Sequence, residues 1–237
     1  MEMIEVPAKA AVFDIGATLV TGPDSAPNKV IAALLGGVTA AEVASVIMTS
    51  PFDRAESVCA ELEARFGALD ERARSGICEL WQAQSQAARE IEGAQDTVLA
   101  LRAAGVRIGL LSDIWSPYFA GVERAIPRVM AAADSIVLSC VTGSRKPDPR
   151  NFERALDELQ VRASEAVMVG DTYAHDILPA LELGMRAVWV LARPDRESES
   201  VSAVLNGDLP RPTATVSHIR EIASLPIWGA GKTAAGR

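Results

Sequence analysis

The chain has 237 residues, of which 49% are hydrophobic and 23% are charged, and its formal net charge is −8. This length allows one sizeable core, or a core with a smaller inserted unit. The acidic balance argues against a general nucleic-acid-binding protein, which needs a basic surface. No apolar run reaches the roughly 18 residues of a membrane span, so we expect neither nucleic acid nor membrane as a partner.

The cysteines and the amino-terminal segment indicate the compartment. Cys59, Cys78 and Cys140 are scattered, odd in number and without metal-ligand spacing. This usage fits a reducing environment better than a disulfide framework. The first residues lack a basic region followed by an apolar stretch and a cleavage site, so no secretory signal is apparent. We therefore expect a cytoplasmic protein.

Short runs rich in Val, Ile and Leu predict buried parallel strands, because they lack the polar alternation of half-exposed strands. The predicted strands are Ala10–Phe13, Val106–Leu111, Ile136–Leu138, Ala166–Val169, Ala187–Leu191 and Ala214–Val216. Helical patterns lie between them, and strands that alternate with helices are typical of an open sheet. The sequence therefore predicts a Rossmann-like, doubly wound α/β fold.

Three of the helical patterns have clear signals. Thr97–Ala104 follows Asp96, a predicted N-cap, and stops before a glycine. Asp176–Leu183 has a proline in its opening turn and a glycine after its end. The third helix has one apolar face, formed by Phe152, Ala155, Leu156 and Leu159. We expect the acidic stretch Asp195–Ser200 to be a solvated loop.

One long stretch, from about residue 25 to residue 92, has helical patterns and no convincing strand. We interpret it as a helical cap over the carboxyl edge of the sheet, although these helices would alternatively extend the core. The predicted division is a core of residues 1–22 and 95–228 and a cap of residues 23–94. Residues 229–237 are small and polar, and we expect a disordered tail there.

Polar residues that suit phosphate and metal chemistry follow four of the predicted strands. They are Asp14, Ser112, Asp113, Lys146, Asp171 and Asp176. Ligands of open α/β sheets bind outside the carboxyl ends of the strands. Each residue alone is more typical of a turn or a helix cap. Together, carboxylates, a hydroxyl and one lysine are what an enzyme needs to hold Mg²⁺ against a phosphoryl group.

The same segments resemble, in order, the four motifs of the haloacid dehalogenase-like hydrolase superfamily. The segments are FDIGATL, LLSD, GSRKPDPRNF and VGDTYAHDILPALELGM. Residues 91–105 also resemble the segment by which such proteins return from cap to core. The resemblance covers nearly the whole chain, and it implies a phosphatase-type hydrolase that acts on a small phosphorylated molecule.

The resemblance also implies roles for individual residues. Asp14 would be the nucleophile and would form an aspartyl-phosphate that water hydrolyses. Mg²⁺ would be held by the Asp14 carboxylate, the Gly16 carbonyl oxygen and Asp171. Asp176 would orient the metal site or the lysine without itself binding the metal.

The resemblance assigns three further residues to the phosphoryl group. Ser112 would donate to a phosphoryl oxygen, helped by the backbone amide of Asp113. Lys146 would neutralise charge on the transferring group and hold Asp14 in place. The expected cofactor is Mg²⁺, and the expected molecule is a monomer or a homodimer.

One position departs from the family pattern. Phosphatases of this family carry a second aspartate two residues after the nucleophile, as general acid and base, and this chain has Gly16 there. Glycine offers a carbonyl oxygen but no proton, and such help is worth on the order of 10²–10⁴ in rate. The first interpretation is a phosphatase that uses a better leaving group or another proton donor, such as Asp113, His175 or a cap residue.

Two other interpretations stay open. The protein would displace halide or cleave a phosphonate, as other branches of the family do. The acidic fourth motif counts against halide, and the cap region offers only Lys29 for the Schiff base of phosphonate cleavage. Alternatively, the site would be a vestige in a binding or regulatory protein, which the intact Asp14, Lys146 and Asp171 disfavour.

The remaining signals are weaker. Trp115 and Tyr118 would line the substrate entrance or pack under the cap. Arg54 in the cap region is a further candidate, but the sequence alone does not place its side chain at the site. The segment from Gly229 to Thr233 resembles a nucleotide-binding P-loop only superficially, because it lacks the first glycine and a following helix.

Overall fold

A parallel β-sheet forms the centre of the molecule. The computed structural model describes residues 7–22 and 25–229. Six parallel strands pair in the order β5-β4-β1-β6-β7-β8. Their bounds are β1 Ala10–Phe13, β4 Arg107–Ser112, β5 Ser135–Leu138, β6 Ala166–Gly170, β7 Arg186–Val190 and β8 Ala214–Val216. The predicted Rossmann-like, doubly wound fold is confirmed.

The winding of the sheet reverses at β1. The chain proceeds from β1 to β4 and β5 on one side, and then returns to β6, β7 and β8 on the other. Such a switch point leaves a crevice outside the carboxyl ends of the central strands. Residues that follow β1, β4 and β6 therefore meet at one edge.

Both faces of the sheet are covered, which explains the continuous apolar runs. In β1, Ala11 and Phe13 belong to one apolar cluster, and Ala10 and Val12 belong to the cluster on the opposite face. This alternation is the two-residue period of a strand that is buried on both sides.

Helices flank the sheet in two layers. The layer beside Phe13 contains α5 Ala94–Ala103, α6 Ser116–Ala125 and α7 Pro127–Ala132. The opposite layer contains α9 Pro149–Leu159, α10 Leu178–Glu182 and α11 Ser198–Asn206. A short helix, α8 Ser139–Thr142, follows β5 directly. The predicted apolar face of α9 is buried against the sheet.

Four further helices lie between β1 and α5 in the chain. They are α1 Pro27–Leu35, α2 Ala40–Ile47, α3 Ala55–Phe66 and α4 Glu71–Ser85. They pack around an apolar cluster of their own, which includes Ile31, Val46, Leu62 and Ile77. Trp115, which lies between β4 and α6, also belongs to this cluster. The expected run of helices is present at this position.

The expectation of no strand within residues 25–92 was wrong in one detail. β2 Val20–Thr21 and β3 Arg89–Glu90 form a two-stranded antiparallel ribbon at the base of the four helices. Two residues per strand are too few to produce a readable sequence period. The ribbon brings the two ends of the helical insertion together.

Two local predictions were also wrong. The stretch Asp195–Ser200 is a 3₁₀ turn over Pro194–Glu197 followed by the first residues of α11, because Val204 of that helix packs on the core. Helix α5 begins at Ala94, so Asp96 lies inside the first turn, where a carboxylate complements the helix dipole.

Within the described ranges, no single helix is long and apolar enough to cross a membrane, and α1 with α2 meets the test only as a pair bent by 118°. The predicted tail of residues 229–237 lies outside the described residues except for Gly229, as does most of the segment that resembles a P-loop.

Candidate active site

All the residues singled out at the strand ends line one cavity of about 340 Å³ at the carboxyl edge of the sheet. Asp14 follows β1, Ser112 ends β4 and Asp171 follows β6. Lys146 lies in the loop between α8 and α9. The parallel register explains this convergence, because β1 is paired with β4 on one side and with β6 on the other.

Lys146 bridges two carboxylates at the floor of the cavity. Its Nζ donates to Asp14 Oδ1 at 2.6 Å and to Asp176 Oδ1 at 2.6 Å, and it lies 3.4 Å from the Leu111 carbonyl oxygen. The lysine side chain is only 4% exposed. Burial works against its charge, but Asp14 and Asp176 outweigh burial and raise the pKa of Lys146. The amine is therefore held as a cation.

Asp14 is a buried carboxylate with an accessible cavity beside it. Burial raises the pKa of Asp14 to about 6, Lys146 opposes that change, and the charge of Asp176 adds to it. The Asp14 amide donates to the Val169 carbonyl oxygen at 2.9 Å, which fixes the backbone at the strand end. The lysine thus both orients this carboxylate and favours its charged form.

Asp176 lies in a single π-helical turn, Tyr173–Ile177. Its second oxygen accepts from the Thr172 amide at 3.0 Å, so both oxygens are engaged. A Cβ at Gly170 would lie 2.5 Å from the Asp176 side chain, which explains the glycine at the end of β6. Asp176 is thereby held against Lys146.

Three carboxylates cluster in this cavity. One oxygen each of Asp14, Asp171 and Asp176 lies within 4.8 Å of the others. Burial and the charge of Asp14 raise the pKa of Asp171, although Arg193 contacts its Oδ2 and opposes the change. Oxygen ligands and surplus negative charge suit a hard divalent cation such as Mg²⁺. The donor set therefore fits this metal.

Asp113 organises the lysine loop. Its Oδ1 accepts from the Lys146 amide at 2.9 Å, and its Oδ2 accepts from Arg145 Nε at 3.3 Å. These contacts place the carboxylate under the loop, and leave it poorly available as a proton donor. Ser112 is buried at the same edge and its hydroxyl makes no hydrogen bond to another described residue.

Gly16 lies at the rim of the cavity, and no steric requirement for glycine is visible there. A Cβ at this position would meet no heavy atom within 4 Å, and its φ lies outside the left-handed region. The neighbouring Ala17 has a φ of 62° and donates its amide to the Val20 carbonyl oxygen at 2.7 Å. No steric contact therefore explains the glycine at residue 16, and its consequence is chemical: the residue has no side chain that could donate a proton.

For Trp115 and Tyr118 the sequence left open a place beside the substrate or packing against the four helices, and both are observed. They line the cavity, and Trp115 also belongs to the apolar cluster of the four helices. Burial and the nearby charge of Asp14 raise the pKa of Tyr118 to about 12, so its hydroxyl stays protonated at neutral pH. His175 also lines the cavity, whereas Arg54 precedes α3 and does not.

Fold and site together define an α/β protein with a buried lysine and a cluster of carboxylates at one sheet edge. A family model described as haloacid dehalogenase-like hydrolase matches residues 8–184. The chain belongs to this family.

The curated relatives match over part of their length. Glyceraldehyde 3-phosphate phosphatase of Pyrococcus abyssi is 34% identical over 101 residues, which cover 43% of this chain and 42% of that protein. Phosphoserine phosphatase of Thermus thermophilus is 44% identical over 69 residues, which cover 29% of this chain and 28% of that protein. The chain thus spans well under half of these relatives.

Solved structures match over nearly the whole chain. A family hydrolase of Deinococcus radiodurans with bound phosphate and sodium has a TM-score of 0.60 at 23% identity, over 94% of this chain and 97% of that one. L-2-haloacid dehalogenase of Xanthobacter autotrophicus has a TM-score of 0.58 at 16% identity, over 94% and 100%. At these identities the match shows a common fold.

Sequence reasoning missed several cavity residues, among them Arg193 and Gln84. Arg193 follows β7 at the same sheet edge, and extending the strand-end rule to β7 would have found it. Gln84 belongs to α4 and is distant in sequence from every motif, so only the tertiary packing reveals it.

Proposed function

We propose that the protein is a Mg²⁺-dependent phosphatase of a small phosphorylated metabolite. The observation that carries the proposal is Lys146, which bridges Asp14 and Asp176 beside Asp171 in one cavity. Because Lys146 is already paired with two carboxylates, the cluster keeps a surplus of negative charge. A bound cation would offset that surplus and the charge of a phosphorylated substrate, as in other phosphoryl-transfer sites.

Asp14 acts as the nucleophile. A carboxylate oxygen attacks phosphorus in line, the bond between phosphorus and the ester oxygen breaks, and the alcohol departs after taking up a proton. Water then attacks the aspartyl-phosphate, which releases inorganic phosphate and returns Asp14. Lys146 holds Asp14 Oδ1 at 2.6 Å and supplies positive charge beside the reacting group.

Asp14, Asp171 and the Gly16 carbonyl oxygen would hold Mg²⁺, which would offset the repulsion between the anionic nucleophile and the anionic substrate. Asp176 stays with Lys146 and the Thr172 amide. Ser112, with its free hydroxyl, and the Asp113 amide would donate to the phosphoryl oxygens.

Gly16 cannot donate a proton to the leaving group, so another group must do so. His175 lines the cavity, while the Asp113 carboxylate is already engaged by the lysine loop. The reaction should therefore favour leaving groups that depart with little protonation. The acidic cluster disfavours the dehalogenase alternative, since displacement of halide from a neutral carbon needs no cation.

The phosphatase names of the curated relatives support the substrate class, and glyceraldehyde 3-phosphate and phosphoserine are the compounds that those names give. We also propose the division into a core of residues 1–22 and 95–228 and a cap of residues 23–94. The separate apolar cluster of α1 to α4 and the ribbon at their base support this division.

The test is hydrolysis of an activated aryl phosphate. We expect p-nitrophenyl phosphate to be hydrolysed with Mg²⁺ and not with a chelator, and Asp14→Asn to abolish turnover because the nucleophile is lost. Asp157→Asn, the same change at an exposed position of α9, serves as the control. Equal turnover by wild type and Asp14→Asn would exclude Asp14 as nucleophile.

A further inference from the structure

Gln84 brings a polar group from the four-helix region into the catalytic cavity. It lies in the last turn of α4, is only 3% exposed and lines the cavity that contains Asp14. Trp115, which comes three residues after Ser112, donates its indole N–H to Gln84 Oε1 at 3.1 Å. The amide is therefore tied to the segment that carries the predicted phosphate-binding hydroxyl.

The hydrogen bond from Trp115 fixes which way the Gln84 amide points. An indole N–H only donates, so the atom that faces it must be the amide oxygen and not the nitrogen. The NH₂ group then faces away from Trp115, and it makes no hydrogen bond to another described residue. Because Gln84 lines the cavity, a ligand oxygen there can accept from this group.

The wall around Gln84 carries no charge among the residues that the structure describes. The four-helix region and its entry segment contribute Ser25, Ala26, Pro27, Met48 and Gln84 to the cavity. The lysine and the arginine that line the cavity are Lys146 and Arg193, and both already contact carboxylates. A second anionic group of a substrate would be buried here without a counter-charge, which is costly.

The cavity is also small. Its volume of about 340 Å³ is near the lower end of the roughly 300–1,000 Å³ that ligand sites occupy. A phosphoryl group beside Asp14 takes up part of this volume, and the organic part then lies among the other lining residues, which include Met48, Tyr118 and Gln84.

We propose, on the basis of the phosphatase function above, that Gln84 is a specificity-determining residue. It selects short monophosphates whose organic part carries an uncharged oxygen acceptor, such as a hydroxyl or a carbonyl. The Gln84 NH₂ donates to that oxygen, and the uncharged wall rejects a second anionic group.

Three monophosphates with three carbons test this assignment. Glycerol 3-phosphate has hydroxyl acceptors, n-propyl phosphate has none, and 3-phosphoglycerate has a carboxylate in place of the terminal hydroxymethyl group. All Kd values are measured by calorimetry with Mg²⁺ on the full chain carrying Asp14→Asn, which should leave the ligands intact. They should be lowest for glycerol 3-phosphate, by about tenfold over n-propyl phosphate. An equal Kd for these two, or tightest binding of 3-phosphoglycerate, would overturn the assignment.

Two variants separate recognition from a purely structural role. Gln84→Glu keeps an acceptor for Trp115 but removes the donor, and Gln84→Met removes both groups. We expect both variants to lose the preference for glycerol 3-phosphate. Gln82→Glu, the same change at an exposed position of α4, should keep the wild-type order. If Gln84→Glu also keeps that order, Gln84 only supports Trp115 and the assignment is wrong.

The readouts keep this proposal separate from the phosphatase proposal. The Kd values come from the Asp14→Asn chain and do not depend on turnover, whereas p-nitrophenyl phosphate hydrolysis is measured in parallel on the chain that retains Asp14. Hydrolysis without the expected order of Kd values overturns the role of Gln84 alone. The expected order without hydrolysis overturns the phosphatase function and leaves the recognition by Gln84 standing.

Discussion

Gly16 occupies the position at which the resemblance to phosphatases leads us to expect a proton-donating aspartate. It lies two residues after Asp14 at the cavity rim, with open space where a Cβ would stand and without a left-handed φ. A Cβ therefore fits at this position without a steric contact. Because glycine cannot donate a proton, the barrier for a poor leaving group is higher than it is with an acid in place.

We expect Gly16→Asp to raise turnover of alkyl phosphates more than that of p-nitrophenyl phosphate. The gain for the alkyl substrates should be on the order of 10², at the lower end of what general acid catalysis supplies. The ratio of kcat/KM values for the two substrate classes measures it.

Gly16→Asn is the matched control for this change, because it has the same size and no acidic proton. If Gly16→Asp and Gly16→Asn change both substrate classes equally, another group, such as His175, already supplies the proton.

Some of the residues in the cavity could be predicted from the sequence, and others could not. Asp14, Lys146 and Asp171 were predictable because each follows an apolar run, and the ends of parallel strands meet at one edge. Arg193 obeys the same rule and was overlooked. Gln84 was not predictable, since its approach to the cavity depends on how α4 packs against Trp115.

At the scale of elements, α4 and α6 meet at Gly121. A Cβ at Gly121 would lie 2.8 Å from the Ser85 carbonyl oxygen and 3.4 Å from the Ala88 Cβ. Ser85 is the neighbour of Gln84, so this contact sets the distance between the helix that carries Gln84 and the helix that follows Trp115. A backbone atom cannot move aside as a side chain can.

We expect Gly121→Ala to destabilise the protein although alanine favours helices. The helix gain is about 1 kcal/mol, whereas overpacking against a backbone carbonyl costs about 1–3 kcal/mol. Urea unfolding measures the difference. Gly76→Ala in α4 is the control, because its Cβ would meet only the flexible end of Leu34. Equal stability changes in the two variants would contradict a rigid contact at Gly121.

Strands were easier to predict than the connecting elements. The runs at Ala10–Phe13 and Ala166–Val169 are buried on both faces, so their apolar composition is unambiguous. The ribbon of β2 and β3 has too few residues to show a period. The first residues of α11 are polar, so the sequence does not indicate a helix there. The burial of Val204 later in the helix packs α11 against the core.

At the level of the whole molecule, the fold gathers three buried carboxylates in one cavity. The chain has a net charge of −8, and three of its carboxylates lie within 4.8 Å of one another in the cavity. The fold keeps them there, because β1 and β6 are paired in the sheet and the Tyr173–Ile177 turn follows directly. The sequence predicted this cluster but not the contact of Arg193 with Asp171.

A divalent cation should therefore stabilise the folded chain as well as support turnover. A ligand that binds only the folded state adds RT ln(1 + [L]/Kd) to the free energy of unfolding, about 2.7 kcal/mol at 100 times Kd. We expect Mg²⁺, titrated at constant ionic strength, to raise the urea midpoint by a corresponding amount. Asp171→Asn removes a proposed ligand and should abolish most of this increment, whatever its own stability without the cation. An equal Mg²⁺ increment in the variant would mean that the cation binds elsewhere than between Asp14 and Asp171.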